Sequence, residues 1–596
     1  MKMSVSSFES KSKVFASGLR IFLILLISVT GLFLPEVQAQ EVYHPQRLMI
    51  QFSEQSGLNK QLTEVFQDRT IESFVPSTYP EIDSEDPAFR HGDNTFLHYI
   101  FEFFNSYPVQ SVRPLIKSTE RSALSSAFDR VYLVYISEDS DVTGTLENLL
   151  QNQFIEVAEP DYIGFGGGKL VSMGEFETTM LLPKTNPPVN DVHFNFQYGL
   201  LNTGQSIGGI LGIAGADINI VPGWSLTTGN SEIVLGVLDS GMPLEHHEFE
   251  GRVFQGFNFV SNNNNYFDDH GHGASVTSIA AATGNNSGLM AGTDWQSTIL
   301  PVKILDNNNS GLYSWWINGI NYAVENGAHV INMSVGGSSQ STFLQNAVNS
   351  ALENGVIVVA CMMNENNDVT YYPAGYEGVI SVGATNNKDE RAEPFAWGGG
   401  SNYGNHIDFA APGDNIASLS GNNFQSIGYW SGTSMSAPFV AATITLMLSI
   451  DPNLTRDEIY SILKETTRDR VHGNKDKTQE WEQFTGWGRI DVTAALELTL
   501  AGTFPSSVDS NQGSFQNKYG FIFPNPASDQ VSVITSNEIH TIEIIDTSGR
   551  LLISIPSQQQ GSKSYIDISK LSNGIYLIRY KGKNIVQTQK LIVKNH

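Results

Sequence analysis

Three short segments carry residue types that could form a proton relay: Asp239-Ser240-Gly241, Gly271-His272-Gly273 and Gly432-Thr433-Ser434-Met435-Ser436-Ala437-Pro438. A serine hydroxyl is nearly unreactive at neutral pH, so it needs a base within hydrogen-bond reach and a third group to orient that base. Ser434 is the candidate nucleophile, His272 its base and Asp239 the orienting acid. Asp-Ser-Gly alone is an ordinary turn, and a histidine between glycines is ordinarily structural. The three together imply acyl transfer, with attack of the hydroxyl on a carbonyl carbon.

Each residue has an element fit to position it. Asp239 ends the apolar run Ile233 to Leu238, and ligand crevices of open parallel sheets lie at such strand ends. His272 opens the stretch Ala274 to Ala282, whose small residues suit a tightly packed helix. Ser434 starts an apolar stretch reaching Ile450, so it would stand at a buried helix N-terminus, where partial positive charge favours an oxyanion. Pro438 falls in the first turn, where its missing donor costs little. Thr298 to Leu305, His329 to Met333, Val356 to Ala360 and Val379 to Val382 lack alternation, as strands buried on both faces do. Tyr313 to Asn326 and Ser341 to Asn354 read as helices stopped by Gly327 and Gly355. The expected fold of 191–500 is α/β, a parallel sheet with helices on both faces.

The three motifs, in the order acid, base, nucleophile, resemble the active-site segments of the subtilisin-like serine proteases, the subtilases. Asn332-Met333-Ser334-Val335-Gly336-Gly337, Asp408-Phe409-Ala410-Ala411-Pro412-Gly413 and Gly486-Trp487-Gly488-Arg489-Ile490-Asp491 extend the resemblance across most of 191–500. It implies that Ser334, Val335 and Gly336 pair with an extended substrate and wall its primary pocket. It also implies that Asn364, at the end of Val358-Val359-Ala360-Cys361-Met362-Met363-Asn364, shares the oxyanion with the Ser434 backbone N–H. Here the chain departs from the pattern: Met363 stands where glycine is usual, and Cys361-Met362 replace smaller residues. Met362 and Met363 are therefore expected to line and narrow the pocket. Cys361, with no base beside it in sequence, is expected to be an inert structural thiol. The resemblance allows structural calcium and no catalytic cofactor. Asn285-Asn286-Ser287 resembles a calcium loop of several subtilases, and Asn262 to Asp269 is also oxygen-rich. Asn and Asp favour turns as well, which is the plain alternative.

The remaining segments frame this unit within 596 residues, too many for one ordinary core. Lys2, Lys11, Lys13 and Arg20 precede the apolar run Ile21 to Leu34, and Val37-Gln38-Ala39 suits signal peptidase, so 1–39 reads as a signal peptide and not an anchor. Residues 40–165 read as a small α+β domain with strands at Arg47 to Phe52 and Val131 to Ile136 and a helix from Asp141 to Gln153. Its end, Ile155 to Tyr162, resembles that of a subtilase propeptide. Gly166-Gly167-Gly168, Pro183, Pro187 and Pro188 mark 166–190 as an exposed linker. Short strands with turns between them predict a small all-β sandwich over 515–596. There Phe523-Pro524-Asn525-Pro526-Ala527, Leu571 to Tyr576 and Lys590 to Val593 resemble the sorting domain of type IX secretion cargo.

A net charge of −27 argues against nucleic acid or an anionic membrane as partner. The single cysteine excludes an intrachain disulfide. The whole implies a self-processing zymogen of a serine endopeptidase, secreted or held at the cell surface. Its partners would be protein or peptide substrates, its own propeptide and the secretion machinery. The alternative is a catalytically impaired subtilisin-fold surface binding protein. An esterase is disfavoured: Ser436, not glycine, stands two residues after Ser434, and acid and base both precede the nucleophile.

Overall fold

The computed structural model describes residues 42–53, 104, 106–116, 128, 130–173, 188–420, 424–468, 481–502 and, further on, 520–523, 530–535, 539–546, 550–556, 564–583 and 586–593. The expected signal peptide and residues 174–187 of the expected linker lie outside the described residues.

Near the N-terminus, β1 (Tyr43–Phe52), β2 (Val109–Pro114), β3 (Val131–Ile136), helix α1 (Val142–Leu150) and β4 (Ile155–Gly166) make an α+β unit. The strands are antiparallel, in the order β4-β1-β3-β2. Asp141 starts α1 by accepting from Thr143 N (3.2 Å) and Gly144 N (3.0 Å). The helix ends at Leu150, short of the expected Gln153, because 151–154 already turn back toward β4. Alternation sends Leu48, Ile50 and Phe52 to Leu146 and Leu149 of α1, and Met49, Val131 and Leu133 to the opposite face. That second face packs on Trp316, Ile317 and Phe343 of the following unit, so the sheet is buried on both sides.

After β5 (Lys169–Met173) and the short hairpin β6 (Ser206–Ile207) and β7 (Ile210–Leu211) come β8 (Val234–Asp239), β9 (Phe257–Asn258), α2 (His272–Ala281), β10 (Thr298–Lys303) and β11 (Ser310–Leu312). Then follow α3 (Tyr313–Glu325), β12 (Val330–Met333), β13 (Val335–Gly336), α4 (Thr342–Glu353), β14 (Ile357–Cys361), β15 (Ile380–Thr385), β16 (Phe409–Pro412), β17 (Ile416–Ser420) and β18 (Ser426–Ser431). The helices α5 (Ala437–Ile450), α6 (Arg456–Thr466) and α7 (Val492–Ala501) complete the unit.

Seven strands form one parallel sheet, β16-β15-β14-β12-β8-β10-β9. On one face Val276 and Ile279 of α2 and Val440 and Ile444 of α5 pack on Leu235, Val237 and Val359. On the other, Ile317 and Ile320 of α3 and Leu344 and Val348 of α4 pack on Leu238, Ile331 and Val358. Each such side chain contributes roughly 1.5–3 kcal/mol by leaving water, which is why both faces of these strands are apolar. Thr433–Ile450 is the one segment among the described residues long and apolar enough to cross a membrane, but 89% of it is buried inside the fold. Its all-round apolarity is that of a helix through a core.

Beyond residue 519, β19 (Gly520–Phe523), β20 (Gln530–Thr535), β21 (Ile539–Asp546), β22 (Leu551–Pro556), β23 (Ser564–Asp567), β24 (Gly574–Gly582) and β25 (Val586–Val593) form two antiparallel sheets, β19-β20-β23 and β22-β21-β24-β25. Val531, Val533, Ile542, Ile544, Ile578 and Leu591 share one core, so the unit is a small β-sandwich.

Candidate active site

Asp239 is the last residue of β8, His272 the first of α2, and Ser434 sits in the turn that leads into α5. All three are fully buried. The two glycine-flanked motifs touch through their backbones: a Cβ on Gly273 would stand 2.1 Å from the Gly241 carbonyl oxygen, so only glycine permits the approach. Ser240 Oγ ties the same junction, accepting from Gly273 N (2.8 Å) and donating to Asp268 (2.9 Å). His272 Nδ1 thereby lies 2.7 Å from Asp239 Oδ1. Its Nε2 is buried and has no hydrogen-bond partner among the described residues. Ser434 Oγ donates instead to the Ser334 carbonyl at 2.9 Å.

The chain itself occupies the cleft. β4 runs between β11 and β13 as an antiparallel strand, with Phe165 opposite Ser310 and Gly336, and Gly166 opposite Val335. Gly166 N donates to Asn309 O (3.0 Å), and Gly167 N to Ser334 O (3.1 Å). The Gly167 carbonyl then accepts from Ser434 N (3.2 Å) and from Asn364 Nδ2. Asn364 Oδ1 accepts from Thr433 N (2.8 Å) and Thr433 Oγ1 (3.1 Å), which turns its NH2 toward that carbonyl. Past Gly168, β5 leaves antiparallel to β18, Lys169 opposite Ser431. Gly167 and Gly168 are buried, unlike the exposed linker expected of them. A Cβ on Gly432 would lie 2.3 Å from Gly167 O, so this glycine lets the two backbones pass.

A peptide carbonyl held by two N–H donors beside a serine, an imidazole and a carboxylate is an arrangement for acyl transfer. Comparison with known proteins agrees. The family described as the subtilase family matches residues 230–488, and a secretion system C-terminal sorting domain matches 521–594. A cell wall-associated protease of Bacillus subtilis is 30% identical over 72% of this chain, which spans 48% of that protein's length. A thermophilic serine proteinase of a Bacillus species is 33% identical over 56% of this chain and 72% of its own. This chain belongs to the subtilase family. Among solved structures, one of proteases from Pseudoalteromonas arctica matches with a TM-score of 0.45 and 29% identity, covering 52% of this chain and 99% of that one.

Within this subtilase, Ser334, Val335 and Gly336 lie against the end of β4, and Met363 is packed beside it. Cys361, the last residue of β14, and Met363, past its end with a left-handed backbone, both face Gly167; Met362 between them is buried and its N–H donates to Val382 O (3.1 Å). Cys361 Sγ lies 3.6 Å from Ser434 Oγ, and burial pushes its thiol up to about 11, so it stays protonated and poorly nucleophilic at neutral pH. Sequence reading missed the second strand that pairs with β4, Ser310–Leu312, because Asn307-Asn308-Asn309-Ser310-Gly311 reads only as a turn. It also assigned Asp268 to an oxygen-rich loop. That carboxylate accepts from Gly271 N (2.8 Å) and Ala274 N (2.7 Å), seating the start of α2, and Asn263 and Asn265 likewise serve local turns.

Asn285 and Asn286 present a different case. Their N–H groups donate to Asp191 at 2.7 and 3.4 Å, and Asn286 Nδ2 donates to Glu248 at 3.1 Å. Both carboxylates are buried, and neither pairs with lysine or arginine among the described residues. Burial raises the Glu248 carboxyl, opposed by hydrogen bonds from Asn286, Met290 and Leu289. Two buried acids beside carboxamide oxygens suit a hard cation by chemistry. Among the described residues no cluster of three or more His, Cys, Asp or Glu could hold a metal, so amide oxygens would complete such a site.

Proposed function

We propose that this subtilase is an exported serine endopeptidase, made as a zymogen that cuts its own chain between Gly167 and Gly168. The observation that carries the reading is the Gly167 carbonyl, which accepts from both Asn364 Nδ2 and Ser434 N in front of the Ser434 hydroxyl. Rotation about the Ser434 Cα–Cβ bond moves Oγ from Ser334 O toward the unpartnered His272 Nε2. His272 takes the hydroxyl proton as Oγ bonds to the Gly167 carbonyl carbon, and Asp239 steadies the resulting imidazolium. Asn364 and the Ser434 N–H hold the oxyanion. As the intermediate collapses, the Gly167–Gly168 bond breaks and His272 gives its proton to the Gly168 amine. Water, deprotonated by His272, then releases Gly167 from Ser434. Protein substrates would follow the same route along the strand that β4 occupies.

Around this reaction we assign residues 1–39 to a signal peptide, 40–165 to the propeptide, 166–190 to the processed linker, 191–500 to the catalytic domain and 515–596 to the sorting domain. The sorting domain supports passage across the outer membrane by type IX secretion, to the medium or the cell surface. Asp191, Glu248, Asn285 and Asn286 would hold a structural calcium ion, which would neutralise two buried charges and take no part in the chemistry.

Labelling with a serine-reactive fluorophosphonate, alongside hydrolysis of an unfolded protein, tests the reading. Wild type should be labelled at Ser434 and active, and Ser434→Ala neither. A wild-type chain that resists the label and cleaves nothing would overturn it.

A further inference from the structure

We propose that this protease cuts only where glycine fills the first, second and fourth positions before the scissile bond, and so acts on glycine-rich segments of protein substrates. The proposal rests on Gly167–Gly168 being the scissile bond. Counting back from it, Gly167 is first, Gly166 second, Phe165 third and Gly164 fourth.

At the first position, a Cβ on Gly167 would stand 2.9 Å from Cys361 Sγ and 3.0 Å from Met363 Sδ. Met363 crosses the slot between the end of β14 and the opposite wall: a Cβ on Gly336, in β13, would lie 2.5 Å from Met363 Cγ and 2.8 Å from its Sδ. Methionine is flexible. Here it is packed at 4% exposure between two walls, and its backbone is held in the left-handed region at φ 67°. A plug that persists in a backbone conformation disfavoured for a side chain is fixed by its surroundings.

At the second position, Asn309 takes the space. Its Nδ2 donates to Gly166 O (3.2 Å), and a Cβ on Gly166 would come within 2.3 Å of Asn309 Oδ1. The fourth position is closed by an indole. A Cβ on Gly164 would lie 2.2 Å from Trp316 Cη2 and 2.8 Å from Cζ2. Trp316 is fully buried and stacked on Tyr313 with centroids 4.8 Å apart, and the Tyr313 hydroxyl is itself bonded to Ser339 O at 2.9 Å. An indole so packed cannot swing aside as a flexible chain would. Phe165, at the third position, is 44% exposed, so that position is open to any side chain. Three plugs of unrelated chemistry thus meet three glycines, and the one large residue among them points outward.

Quenched-fluorescent peptides spanning Ile163 to Leu170, with single replacements, test this on the enzyme obtained by expressing the full chain and letting it process itself. Leucine for glycine at the first or fourth position should lower kcat/KM at least about a hundredfold, because the site would have to unpack to admit it, while replacing Phe165 should change little. Met363→Gly removes the plug and relieves the left-handed backbone, so it should raise cleavage after leucine at least about tenfold and leave the fourth position closed. Trp316→Ala should do the converse. Wild-type enzyme that cleaves after leucine within about tenfold of glycine, or a Met363→Gly variant with an unchanged preference, would overturn the proposal. Fluorophosphonate labelling separates the two failures. An enzyme that labels but cuts after bulky residues, or cuts none of the peptides, sinks the glycine rule alone. One that neither labels nor cuts sinks the protease reading with it.

Discussion

Asn364 uses both atoms of its carboxamide. Its Nδ2 faces the Gly167 carbonyl because Thr433 occupies its Oδ1, so Asn364→Ala should remove the oxyanion donor and leave the Thr433 N–H, beside Ser434, without its acceptor. The expected cost is about 10²- to 10³-fold in kcat with little change in KM, the magnitude known for such a donor in subtilisin. Equal loss in KM would mean that the carboxamide only binds substrate. Cys361 gives a second expectation. With its pKa pushed up to about 11 by burial, the thiol is almost wholly protonated at pH 8, so iodoacetamide at that pH should label the unfolded chain and not the native one. Mass spectrometry reads the difference. The three residues of the proposed triad stand out in sequence because their glycine neighbours are demanded by contact, as Gly273 against Gly241 shows. That Met363 faces Gly167 was not legible, since it lies past the end of β14 with a left-handed backbone, where strand alternation no longer sets the side chain's direction.

At the scale of elements, β4 is held to the catalytic unit by two carboxylates at helix starts. Glu159 accepts from Thr342 N and Ser341 Oγ, both at 2.7 Å, at the head of α4. Asp161 accepts from Ser314 N (2.9 Å) in the first turn of α3 and pairs with Arg47 at 3.0 Å. Both partners of that pair are buried, and removing one leaves the other uncompensated, at a cost of about 3–5 kcal/mol. In the uncleaved Ser434→Ala chain, Asp161→Ala should therefore speed amide hydrogen exchange across residues 155–166. Unchanged exchange would show that apolar packing alone holds the strand. The strands and helices of the parallel sheet were readable from their two-faced apolar runs and from Gly327 and Gly355, which end α3 and α4 at φ 76° and 79°. The triple glycine was misread. In sequence it has the composition of a flexible linker, and only the positions of Asn309 and Met363 reveal that Gly166, at the end of β4, and Gly167 after it have no room for a side chain.

For the whole molecule, no disulfide is available, and two buried acids flank the Asn285–Asn286 loop. If calcium neutralises them, saturating calcium should stabilise the fold by about 2.7 kcal/mol at a hundred times its Kd. Chelation should then lower Tm by several degrees, and added calcium should restore it. A Tm indifferent to chelator would leave the hydrogen bonds to Asp191 and Glu248 as the loop's only support. The central claim is that the chain is caught in its own active site with the Gly167–Gly168 bond aligned for attack. The measurement that tests it most directly is the N-terminal sequence of the product that accumulates when the full chain is expressed. Wild type should begin at Gly168, and Ser434→Ala should remain joined through that bond; a Ser434→Ala chain cut at the same place, or a wild-type chain left intact there, would contradict the account.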